Sequence, residues 1–248
     1  MKLNCDLGES FGAWKMPVED AIMPLIDQAN IACGYHGGDP TAIKQALALA
    51  KRYDVEVGAH PAYPDLQGFG RRSLAMSADE IIAMLHYQIS ALHGMAICEN
   101  TAITFVKPHG ALYNDMLSCS NVRHAVMDAV GQFNAASLTL VMQAHPESKH
   151  FEDEANERGL SVRFEAFADR CYTDEGALVS RRKQHAVLSY EKALEQSERL
   201  ISEGCVITEN GNKLSLNVDT LCVHGDTADA IRMATAIRQL ITQSSTTA

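Results

Sequence analysis

Residues 106–114 read Val-Lys-Pro-His-Gly-Ala-Leu-Tyr-Asn, a passage from a buried strand to a charged rim. Ile103, Phe105 and Val106 have the apolar density of a strand suited to a covered sheet, and Pro108 removes a backbone donor and ends the ladder. Lys107 and His109 stand at the exit. A lysine beside a histidine at the end of an apolar strand is costly to bury unless something ionic answers it, so a carboxylate, a metal or an anionic substrate is expected nearby. The plainer alternative pairs Lys107 with a structural carboxylate and leaves His109 capping a loop through its ring nitrogens.

Outward from this stretch the same grammar recurs. Short apolar runs near 2–6, 28–33, 55–59, 103–107, 138–142, 162–167 and 220–223 alternate with segments of helical spacing, the signature of α/β architecture. Asp39-Pro40 supplies an N-cap and a proline at the first helical position, ahead of Ile43, Ala46, Leu47 and Ala50. Ser77 and Glu80 form a capping box before Ile81, Leu85, Ile89 and Leu92, which fall on one helical face, as do Ile231, Ala234, Ile237 and Ile241. Leu194, Ser197 and Ile201 mark a weaker helix. Asn210-Gly211 predicts a hairpin turn between Val206-Ile207 and Leu214 to Leu216. The 248 residues match the roughly 250 of one α/β barrel. The expectation is one domain over 1–248, with a small hairpin near 205–218 and a frayed tail at 244–248.

With a net charge of -10 and no basic run, the chain repels polyanions, which argues against a nucleic-acid partner. The 46% hydrophobic and 21% charged residues suit a soluble globular core. Seven cysteines without a CxxC pair do not describe a secreted disulfide framework or a zinc knuckle, so reduced thiols are expected. The first residues run straight into a strand pattern, and nowhere do about 18 apolar residues follow one another. The expected location is cytoplasmic, with no membrane contact.

Six of the seven strands exit into polar residues able to do chemistry. The first gives Asp6 and Glu9, the second His36, the third His60, the fourth Lys107 and His109, the sixth Glu165 with Asp169 and Arg170, and the last His224 and Asp226. Only the fifth, followed by His145-Pro146-Glu147, is unclear. Side chains at the carboxyl ends of parallel strands converge on one rim, where such barrels do their chemistry. His36, His60, His109 and His224, with Asp6 and Asp39, are ligand types for a zinc or manganese ion that activates water. The alternative needs no metal: Asp6, Glu9 or Glu165 as general base, with Lys107 and a histidine stabilising an oxyanion, suffices to open an amide.

Gln67 to Arg72 form a glycine-containing basic loop in which Arg71 or Arg72 can hold a carboxylate or phosphate, or pair with the acidic exterior. GxxxxGK[ST] is absent, so no autonomous ATP site is identified. His86, His93, His124, His150 and His185 read as structural or solvated. Cys33, before Gly-Tyr-His, is either a small buried thiol or half of a Cys-His nucleophile pair.

The motifs Asn4-Cys5-Asp6-Leu7-Gly8-Glu9, Ala29 to His36, Gly58-Ala59-His60-Pro61, Gly68 to Arg72, Lys107 to Asn114, Phe167 to Arg170 and Cys222 to Asp226 resemble the LamB/YcsF family, in its order and at its approximate spacing. The departures are Tyr35 and Gly37, where phenylalanine and alanine are usual, and 143–148 in place of a more glycine-rich loop. The resemblance implies a distorted seven-stranded (β/α) TIM-like barrel of the glycoside hydrolase/deacetylase type. It also implies ATP-dependent 5-oxoprolinase chemistry, opening the lactam of 5-oxo-L-proline to glutamate with partner subunits B and C. Coupling to ATP, consumed by the complex, suggests a phosphorylated intermediate. The nominated catalytic residues are Asp6, Glu9, Lys107, His109 and Glu165. Asn30, His36, His60, Arg71, Arg72, Tyr113, Asp169, Arg170, His224 and Asp226 are nominated to bind substrate, and Asp6, His36, His60, His109 and His224 are the candidates for a divalent metal. Two other readings stay open: a stand-alone metal-dependent deacetylase or amidase, and a non-catalytic ligand-binding subunit.

Overall fold

The computed structural model describes residues 1–16, 19–223 and 229–246. Seven parallel strands close into a barrel: β1 (Lys2–Leu7), β2 (Gln28–Ala32), β3 (Glu56–His60), β4 (Ile103–Val106), β5 (Thr139–Gln143), β6 (Ser161–Phe167) and β9 (Thr220–Val223). The ladder runs in chain order and β9 shuts it between β6 and β1. β7 (Cys205–Ile207) and β8 (Lys213–Ser215) form a separate antiparallel hairpin around Asn210-Gly211. All seven expected barrel strands are present, and β3 and β5 lie one residue later than the sequence suggested, so that β5 ends on Gln143.

Helices wrap the barrel: α1 (Glu19–Ile22), α2 (Pro40–Arg52), α3 (Ala78–Cys98), α4 (Gly110–Ser118), α5 (Ser120–Gly131), α6 (Ser148–Asn156), α7 (Tyr190–Glu203) and α8 (Ala230–Thr246). The Asp39 carboxylate accepts from the Thr41 and Ala42 backbone, and the Ser77–Glu80 capping box is fully formed. Asp39 therefore serves as a helix cap and joins no ligand set. α3 is long and apolar enough to cross a bilayer, but its Ile81, Leu85, Ile89 and Leu92 are buried in the core. α8 continues through Ser244 to Thr246.

Strand alternation decides what fills the barrel. On β1, Leu3, Cys5 and Leu7 join the apolar cluster, while Asn4 and Asp6, offset by one, meet side chains from other strands. Register places Asp6 beside Asn30, Asn4 beside Cys222, and Gln143 beside Glu165. A polar layer thus occupies part of an interior that such barrels usually pack with branched apolar residues.

Candidate active site

Lys107 extends β4 and reaches the centre of that layer, 2% exposed. Its Nζ lies 3.0 Å from Asp6 Oδ1 and 3.0 Å from Glu165 Oε2, with Asn4 Oδ1 at 3.3 Å and Cys222 Sγ at 3.2 Å. Burial works against its charge, but Asp6 and Glu165 outweigh burial and hold its pKa well above the ordinary lysine range. Lys107 stays cationic. Asn4 ties the layer together, donating to Glu165 Oε2 and Thr220 Oγ1 while Asn30 donates to Asn4 Oδ1 and Asp6 Oδ1.

Beside this layer lies a histidine cluster. His36 and His109 stack with ring centroids 3.8 Å apart and 6° between their planes, and His60 stands edge-on to both. Burial first, and the neighbouring rings second, hold His36 and His109 well below the usual imidazole range. Both are neutral. Glu9 Oε1 is 3.0 Å from His36 Nε2 and 3.7 Å from His109 Nδ1. The Gly70 backbone closes over this group: its carbonyl accepts from Ala111 N and sits where a Cβ on Gly110 would fall, at 2.4 Å.

Backbone carbonyls fix two tautomers. His60 Nδ1–H donates to Lys107 O at 2.6 Å, and His109 Nε2–H donates to Phe69 O at 2.9 Å. In neutral rings the remaining nitrogens, His60 Nε2 and His109 Nδ1, then face each other at 2.9 Å with lone pairs, and Asp6 Oδ2 is 3.3 Å from the first. Facing lone pairs repel, so a proton or a metal ion has to sit among them. Ligand atoms of Glu9, His36, His60 and His109 all lie within 4.8 Å of one another, and the carboxylate with three imidazoles is a donor set suited to zinc or a similar divalent ion.

A cavity of about 820 Å³ opens above, lined among others by Asp6, Glu9, His60, Lys107, His109, Tyr113, Arg71 and Arg170. The sequence grouped residues that the fold separates. Arg71 lines the cavity, whereas Arg72 is held by Asp65 away from it. Arg170 is 7% exposed, anchored by the Ala186 and Val179 carbonyls, and burial, then Arg181, pulls its pKa down to about 10. Asn30, His36 and Glu165 lie beneath the cavity wall, behind the groups that line it. Asp169 lines a separate, smaller pocket with Leu188 and Met233. His224 and Asp226 lie outside the described residues. Cys33 is no nucleophile: burial pushes its thiol up to about 12, and Sγ donates to Ile31 O. Of the other histidines, His124 and His150 meet Glu154, and His185 meets Glu209.

Sequence reading missed Asn4, Gln143 and Glu19. Asn4 was legible as the residue two before Asp6 on one strand face. Gln143 and Glu19 both line the cavity, and burial raises the Glu19 carboxyl to about 7. Gln143 was hidden by a strand end placed one residue early. Nothing in the sequence around Glu19 pointed to the site.

A closed parallel β/α barrel whose mouth gathers carboxylates, histidines and a buried lysine defines the class. The family model of the LamB/YcsF family matches residues 1–248, and the chain belongs to that family. It is 48% identical over 240 residues to a Vibrio parahaemolyticus protein named as the A subunit of 5-oxoprolinase, covering 96% of this chain and 94% of that one. A Chromohalobacter salexigens protein of the same name is 48% identical over 237 residues, covering 95% and 94%. The crystal structure of a lactam utilization protein from Thermus thermophilus superposes with a TM-score of 0.89 at 39% identity, covering 99% of this chain and 97% of that one.

Proposed function

We propose that the chain is component A of an ATP-dependent 5-oxoprolinase, opening the lactam of 5-oxo-L-proline to L-glutamate together with partner subunits B and C. The meeting of Asp6, Lys107 and Glu165 at the cavity floor carries this reading, and the names of the relatives and of the Thermus neighbour give it its substrate. A lactam is resonance-stabilised, so water adds to its carbonyl carbon only when the carbonyl oxygen is activated. Phosphorylation of that oxygen at the expense of ATP, handled largely by the partner chains, activates it. Lys107 offers fixed positive charge where negative charge develops. Asp6, which reaches the cavity, orients the water, and Glu165, buried behind, positions Lys107. Arg71 and Arg170 face the substrate carboxylate or the phosphoryl group. Glu9 and His109 complete the proton path at the rim; the C–N bond breaks with the ring nitrogen leaving as the amine, and a second water cleaves the acyl phosphate so formed to glutamate and inorganic phosphate. The cavity, about 820 Å³, is several times what a lone five-membered lactam fills, which leaves room for the phosphoryl group. The reading expects a cytoplasmic complex.

The test is reconstitution. The purified chain, its partner subunits, 5-oxoproline and ATP are mixed, and glutamate is measured with each component left out in turn. Glutamate that requires every component supports the reading; full turnover without this chain ends it.

The facing lone pairs of His60 and His109 favour a second reading, in which Glu9, His36, His60 and His109 hold a divalent cation. When bound, such an ion supplies Lewis acidity and an acidified water. Stoichiometric zinc or manganese in the purified chain, with hydrolysis of an acetylated sugar by the chain alone, would favour a stand-alone amidase or deacetylase over the complex.

A further inference from the structure

We propose that Gln143 reads the ring N–H of the lactam and so selects a secondary lactam over a ring lacking that hydrogen; this rests on the lactam reading above. Gln143 closes β5, and its partner across the ladder is Glu165, so the two side chains leave neighbouring strands on the same face, towards the polar interior. It is 1% exposed and lines the cavity. Its amide is held by one end: Nε2 donates to Gly176 O at 2.7 Å, which turns Oε1 the other way. Oε1 has no hydrogen-bond partner among the described residues. A buried carbonyl oxygen without a donor is expensive, and because Gln143 lines the cavity a ligand's N–H is the donor that would satisfy it.

The latch on Nε2 is built in. Gly176 has φ +92°, and a Cβ there would lie 2.5 Å from Pro146 Cδ and 3.1 Å from His145 Cδ2, so only glycine lets this loop approach β5's exit closely enough. The fifth exit, unreadable from His145-Pro146-Glu147, thus acts through the residue just before it.

A second buried polar side chain lines the same cavity. Tyr113 Oη is buried beside Glu165, which holds its hydroxyl on the side of the polar layer. Burial, then the Glu165 charge, keeps the phenol protonated, so it presents a donor. A five-membered lactam is locked cis, with its N–H and C=O on adjoining edges. The Gln143 oxygen complements the N–H edge, and the phenol of Tyr113, protonated and on the same cavity, belongs to the C=O edge.

The test uses the complex reconstituted with its partner subunits and two ligands: 5-oxoproline and 3-oxocyclopentane-1-carboxylate, in which CH2 replaces N–H. The wild type is expected to hold the lactam roughly tenfold to a hundredfold tighter than the carbocycle, because the carbocycle leaves the buried oxygen unpaired. In Gln143→Met the lactam falls to the affinity of the carbocycle, the carbocycle is unchanged, and KM for 5-oxoproline rises more than kcat falls. Gly176→Ala, which displaces the latch and keeps the amide, shifts the ratio in the same direction by less, and serves if the first variant folds poorly. Equal weakening of both ligands, or undiminished discrimination in Gln143→Met, overturns the proposal while the lactam reading stands. A wild-type complex that neither binds nor turns over 5-oxoproline overturns both.

Discussion

Both ends of this barrel carry a charged carboxylate network, and only one of them is closed. At the amino-terminal end Glu56, the first residue of β3, accepts from Lys2 Nζ at 2.7 Å, Gln28 Nε2 at 3.0 Å, Thr104 Oγ1 at 2.8 Å and Arg163 Nη1 at 2.8 Å. Both Glu56 oxygens are satisfied, from strands β1, β2, β4 and β6, and Gln28 Oε1 is the one atom of this network left without a partner among the described residues. At the carboxyl-terminal end Asp6 and Glu165 share Lys107, Glu9 meets His36 and His109, and Gln143 Oε1, Asn30 Oδ1 and His36 Nδ1 have no hydrogen-bond partner among the described residues. A buried polar group left unpaired lowers stability, so the gathering of several such atoms about the cavity, against Gln28 Oε1 in the Glu56 network, separates the end that holds the barrel together from the end that waits for a ligand.

The largest effect that would break this contrast comes from its centre. Lys107→Met removes the cation shared by Asp6 and Glu165 and leaves two buried carboxylates without it. The reconstituted complex should lose turnover by about a hundredfold to a thousandfold, since a fixed charge facing the reacting oxygen is gone. The isolated chain should be destabilised by about 3–5 kcal/mol in urea titration, because breaking a buried pair costs more than never having made it. Full turnover in this variant would show that Lys107 plays no part in the chemistry.

Arg71 and Arg72 sharpen the comparison at smaller scale, since two neighbours in sequence fall on opposite sides of the functional boundary. Arg71 lines the cavity and lies over the Phe69 ring, while Arg72 is bound by Asp65. Arg71→Ala should raise KM for 5-oxoproline about tenfold or more, the loss of a charge-assisted contact to an anion. Arg72→Ala should leave KM within about twofold and show only as a small fall in melting temperature. Equal KM effects would mean that the loop is read by the ligand as a whole.

These cases show which features were legible in the sequence. The barrel was, because each strand is an apolar run of the right length, and the polar exits Asp6, His60, Lys107 and His109 converge as strand ends must. Side-chain direction was not. Asp39 was read both as a helix cap and as a ligand type, and the backbone N–H groups of α2 claimed its carboxylate. Asn30 and Glu165 were named as touching substrate or reacting atoms, and alternation does turn them to the same interior face as Asp6 and Lys107, but full burial keeps them bonded to those two and off the cavity lining. Gln143 was lost to a one-residue error at the end of β5, an error that matters because neighbouring strand residues face opposite sides.

The smallest prediction concerns the closed end. Burial alone would raise the Glu56 pKa, but hydrogen bonds from Lys2, Arg163 and Thr104 outweigh it and hold the carboxyl at about 2 against an ordinary 4.5. A carboxylate depressed in the folded state stabilises above its unfolded pKa and loses that contribution as pH falls through the folded one, so the window runs from about 4.5 down to about 2. Solvent reaches part of this network, and screening reduces the contribution to about 1–2 kcal/mol. Glu56→Gln should therefore lower stability at neutral pH by that amount, flatten the acid limb of the melting profile over that window, and leave KM for 5-oxoproline unchanged. An acid limb as steep in the variant as in the wild type would shift the pH dependence to other carboxylates, and a raised KM would show that the closed end is coupled to the open one.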